Sequence, residues 1–68
     1  MTIPNKYKNK IKSIEQEAGL IDDCKYMVYL NDGIEHDVFG DSFPIKNSKE
    51  LKNIMEDIEW EASTWVNH

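Results

Sequence analysis

Between Cys24 and Leu30 the chain alternates: Cys24, Tyr26, Val28 and Leu30 fall on one face of an extended backbone, Lys25, Met27 and Tyr29 on the other. A period of two is the mark of a strand. A strand cannot stand alone, because its backbone donors and acceptors need a neighbouring strand and its apolar face needs a second layer. The single cysteine, Cys24, cannot form an internal disulfide, so one hydrophobic core within 68 residues must meet both needs. A domain near this length buries only about 60% of the surface its unfolded chain exposes. With 40% apolar residues, one modest core is expected, and a partner or second copy would add to its stability.

Asn31, Asp32 and Gly33 are turn formers, after which Ile34, His36 and Val38 alternate with Glu35, Asp37 and Phe39. The pattern predicts a hairpin. A two-residue turn would set Leu30 against Glu35 and Val28 against Asp37, placing acids on the most apolar face. A three-residue loop with Gly33 left-handed instead pairs Leu30 with Ile34, Val28 with His36 and Tyr26 with Val38. It leaves Tyr29 opposite Glu35, Met27 opposite Asp37 and Lys25 opposite Phe39. Phe43, Pro44 and Ile45 follow a second turn signal and predict a short third strand, which Pro44 confines to a sheet edge.

Two helices are expected to flank these strands. Ile3, Tyr7, Ile11, Ile14 and Ala18 recur at helical steps, predicting a first helix over 5–18 stopped by Gly19. Asn47 with Glu50 three residues on forms a capping-box pattern. It opens a predicted helix over 48–64 whose apolar arc holds Leu51, Ile54, Met55, Ile58, Ala62, Trp65 and Val66. The expected product is one small two-layer α+β domain over residues 1–68, ordered helix, hairpin or three-stranded antiparallel meander, helix.

Charge is distributed unevenly. Lys6, Lys8, Lys10 and Lys12 face no acid in residues 1–12, whereas the rest of the chain is strongly acidic, and the whole carries a net charge of -5. Absent arginine and this acidity argue against direct nucleic-acid binding. No apolar run approaches the roughly 18 residues of a membrane span, and no secretory profile opens the chain. With a lone cysteine, a reducing, cytoplasmic setting is the expectation.

No motif identifies a reaction, so no enzyme, cofactor or metal site is expected. Cys24 and His36 share a face in the predicted register but lack a third, orienting group. The acids around Gly33 do not follow a calcium-loop pattern, because Val28 and Leu30 occupy positions where oxygen ligands are needed.

The residues that remain predict contacts. Glu56, Asp57, Glu59 and Glu61 crowd the later turns of the second helix, against its macrodipole, and Trp60 lies among them, roughly opposite the apolar arc. Met27, Tyr29, Glu35, Asp37 and Phe39 occupy the outer hairpin face. Together these ten residues are the expected partner-binding set. Helical carboxylates three and four apart stand about 5–6 Å from one another, not far from the spacing of nucleic-acid phosphates. The expected function is thus a non-catalytic, acidic protein-binding module directed at a protein with a basic surface, such as a nucleic-acid-binding protein. In size, acidity and lack of a catalytic set the chain is similar to phage-encoded inhibitors of host defence, including anti-CRISPR and anti-restriction proteins. The alternative is a homodimeric structural or regulatory subunit, antitoxin-like or an assembly protein, joined through Trp60 or Trp65.

Overall fold

The computed structural model describes the backbone over residues 1–66 and the side chains over residues 1–58. It is a small α+β domain in which a three-stranded antiparallel sheet packs one face against a single long helix. The strands are β1 (Ile11–Gln16), β2 (Tyr26–Leu30) and β3 (Ser42–Ile45), and the helix, α1, spans Ser48–Val66. Spatial order follows chain order, with β2 in the centre.

The alternation seen in the sequence places β2. Val28 and Leu30 are buried, while Met27 and Tyr29 point to the opposite, partly open face. Val28 sits between Ile14 of β1 and Phe43 of β3, Tyr26 between Gln16 and Ile45, and Leu30 opposite Ile11. The predicted edge strand is present. The Leu30 N–H donates to the Asp41 carbonyl (2.8 Å), a register that directs the nitrogen of Pro44 to the open edge, where a missing N–H costs nothing. Phe43 and Ile45 turn inward and are fully buried.

The expected first helix is replaced by a strand. Only Asn5–Tyr7 forms a short 3₁₀ turn, and β1 follows from Ile11. A bulge explains the misleading spacing. The register shifts between Ile11 and Ser13, so Lys12 is an extra residue, and Ile11 and Ile14 point to one face of the sheet although three positions apart. A helical step was in fact a strand with one residue inserted. Tyr7, on the preceding turn, completes the illusion by reaching the same core.

The second correction concerns the hairpin. β2 pairs with β1 and β3, and residues 31–41 form a connecting loop with none of the predicted pairs Leu30–Ile34, Val28–His36 or Tyr26–Val38. The facing pairs Tyr29–Glu35, Met27–Asp37 and Lys25–Phe39 are likewise absent; Tyr29 instead faces Ser13 and Ser42, Met27 faces Glu15 and Pro44, and the Lys25 N–H donates to the Ile45 carbonyl (3.0 Å). Gly33 is left-handed as expected (φ +84°), but its turn, closed by the Ile34 N–H on the Asn31 carbonyl (3.0 Å), leads into the loop. Ile34 and His36 still point inward. The alternation ends there, leaving Val38 76% exposed.

The capping signal for α1 is realised. The Glu50 N–H donates to Asn47 Oδ1 (3.0 Å), and Glu50 Oε1 accepts from the Lys46 N–H (2.6 Å), one residue earlier than a capping box requires. Leu51, Met55 and Ile58 then meet Tyr7, Ile11, Val28, Leu30, Phe43 and Ile45 in one core. No helix of the described residues is long and apolar enough to cross a membrane.

Candidate functional site

Beside the core stripe of α1 runs a second stripe, Glu50, Asn53, Ile54 and Asp57, at helical steps of three, one and three. Its far end meets the loop at His36. His36 is only 6% exposed and is the one buried polar or charged residue among those described. Its Nδ1 accepts from the backbone N–H groups of Val38 (3.1 Å) and Phe39 (3.3 Å). A nitrogen that accepts carries no proton, so the neutral ring holds its hydrogen on Nε2. That atom is buried without a hydrogen-bond partner and lies 3.6 Å from Asp57 Oδ2.

The backbone closes the same loop. His36 and Gly40 exchange both N–H···O=C bonds (2.9 Å each), and Gly40 takes φ +76°, a left-handed value that glycine adopts without strain. Asp37, Val38 and Phe39 are thereby held as a tight exposed turn. The Phe39 ring lies 4.9 Å from the His36 ring and 6.0 Å from Phe43 at the core boundary, yet remains 48% exposed. Asp37 Oδ1 stands 3.3 Å from His36 Nδ1. The imidazole thus lies between the two backbone amides it accepts from and the carboxylates of Asp37 and Asp57.

The structure thus joins some of the expected contact residues and separates others. Asp37, Phe39 and Asp57, from two distant stretches of sequence, converge around His36, with Glu35 and Glu56 exposed in the same loop and helix. Met27 and Tyr29 lie elsewhere, on the sheet face away from the buried side chains of β1, β2 and β3. There the Tyr29 hydroxyl donates to Glu17 Oε2 (2.8 Å), a bond that raises the phenol above its ordinary value, with desolvation and the charges of Glu17 and Glu15 adding to it. The side chains of Glu59, Trp60 and Glu61, and of Trp65, lie outside the described residues.

Sequence reasoning missed Val38 and Ile21 as surface residues and His36 as the organiser, whereas Ile54, placed in the apolar arc of the helix, does pack against the core. The signal available was an isolated histidine flanked by Glu35 and Asp37 just before Gly40. Cys24 is half-buried; desolvation, followed by the charge of Glu50, pushes its thiol up, with Lys46 opposing. Reactive thiols are shifted the other way. No group of three or more His, Cys, Asp or Glu side chains that could hold a metal ion occurs among the described residues. No protein-family model, curated protein or solved structure matches this chain.

Proposed function

We propose that this chain is a non-catalytic binding module that docks its acidic, aromatic surface on a basic protein, one whose basic surface serves to hold nucleic acid. One observation carries the reading: buried His36 fixes the Asp37–Phe39 turn beside Asp57. An exposed aromatic ring is thereby presented close to carboxylates from two elements. Rigid aromatic anchors surrounded by complementary charge are the usual centre of a protein interface, and preorganisation lowers the entropic cost of using them. The net charge of -5 supports a basic partner, since it steers encounter and opposes binding to a polyanion. The phage-encoded inhibitors that the chain resembles in size and acidity act on such partners.

The test is affinity capture from host lysate with the wild-type chain and with D37K/D57K, both checked for folding by circular dichroism. The same partner should be lost on reversal, released by added salt, and displaced by an oligonucleotide. Its retention by the reversed variant would remove the proposal. A control reversal at Glu15, on the opposite sheet face, should leave capture intact.

A further inference from the structure

A cleft of about 620 Å³ opens between the end of β3, the first turns of α1 and a short 3₁₀ turn at Ile21–Asp23. Its volume lies within the roughly 300–1,000 Å³ of small binding pockets. Ile21, Phe39, Pro44 and Ile54 supply apolar walls, with half-buried Cys24 among them. Two of these walls stand in solvent: Ile21 is 69% exposed and Phe39 48%.

The rim is electrically one-sided. Asp22, Asp23 and Glu50 line it against a single cation, Lys46. Glu50 is engaged by the Lys46 backbone N–H, whereas the carboxylates of Asp22 and Asp23 make no hydrogen bond or ion pair among the described residues. Both aspartates take positive φ, 53° and 61°, a left-handed conformation that aspartate tolerates better than most residues. Small polar metabolites require convergent buried polar groups, and none of the polar side chains lining this cleft is buried. Apolar walls beneath a negative rim instead match an aliphatic side chain that has a cationic neighbour.

We infer that this cleft receives an aliphatic residue of the partner flanked by lysine or arginine, the apolar side chain between Ile21 and Ile54 and the cation at Asp22 and Asp23. The inference rests on the docking role proposed above and names a separate contact on the same partner. Phe39 is common to both, forming the cleft wall on one side and the exposed turn on the other.

The probe is a blocked Lys-Leu-Lys tripeptide titrated into the ¹⁵N-labelled full chain, with Glu-Leu-Glu and Lys-Gly-Lys as comparisons. Lys-Leu-Lys should give saturable shifts at Ile21–Cys24, Asn53 and Ile54, and each comparison peptide should bind at least roughly tenfold more weakly, as loss of charge or of the anchor predicts. Ile21→Ser, at a solvent-exposed position outside the core cluster, should weaken binding by about the same factor. Equal binding of the three peptides, an unchanged affinity in Ile21→Ser, or shifts confined to Asp37 and Asp57 would overturn the inference. So would shifts at the cleft that grow with protein concentration alone, which would assign it to a second copy. Failure here with capture still abolished by D37K/D57K removes only the cleft. Binding here with capture unaffected by that reversal removes the surface around His36 instead.

Discussion

At His36 one lone pair holds a turn together. Nδ1 is the acceptor for two backbone N–H groups at once, so the imidazole does for residues 36–40 what a second strand would do for a longer hairpin. Replacing it with alanine leaves both donors short of a partner at the edge of the core, a cost of about 1–3 kcal/mol. His36→Ala should therefore lower the midpoint of denaturant unfolding and speed hydrogen exchange at the Val38 and Phe39 amides, leaving β2 amides the slowest. Tyr29 gives a pH dependence of known sign. Its phenol is raised above the ordinary 10.0 by the bond to Glu17. Below that value it is protonated in both folded and unfolded chains, and its contribution is fully present. As pH climbs past it the unfolded chain ionises first, so stability falls until the folded phenol ionises too. Unfolding followed from neutral pH to about pH 11 should show this loss in the wild type and less of it in Tyr29→Phe.

Among the elements, β2, β3 and α1 were legible because each announces itself locally: alternation in β2, proline at an edge in β3, a cap and an apolar arc in α1. Asn47→Ala, which removes the acceptor for the Glu50 N–H, should cost about 0.5–2 kcal/mol by thermal unfolding. β1 was not legible, and Lys12 is the reason. Its insertion turns a period of two into a step of three, which no local rule separates from one turn of helix. The bulge makes a sharp prediction. Deleting Lys12 would restore unbroken alternation with Ile11 and Ile14 two positions apart and still on one face, so the variant should keep cooperative unfolding, and Lys12→Ala, which keeps the extra residue, should stay within about 0.5 kcal/mol of wild type. The predicted hairpin failed for a related reason. Ile34 and His36 do point inward, but the strands that pair with β2 are β1, from before it in the chain, and β3, from beyond the loop, and alternation alone does not name a partner.

For the molecule as a whole, one core, with nine buried apolar side chains among the described residues, carries the fold. A truncation at its centre should be felt throughout: Met55→Ala, at a fully buried position, should cost about 2–5 kcal/mol, a large share of the stability expected of so small a domain. That core also explains how much of the candidate site could be read in advance. Asp37, Phe39 and Asp57 were each recognisable as exposed acid or aromatic, but their meeting depends on the path of residues 31–41 to the middle of α1 at Asp57, a long-range fact. The most direct test of the account is carboxyl footprinting of the captured complex by carbodiimide labelling and mass spectrometry. Asp37 and Asp57 should be protected on binding while Glu15 and Glu17, on the far side of the sheet, label as in the free chain. Protection of Glu15 and Glu17 with Asp37 and Asp57 still reactive would place the interface on the opposite face and contradict the account.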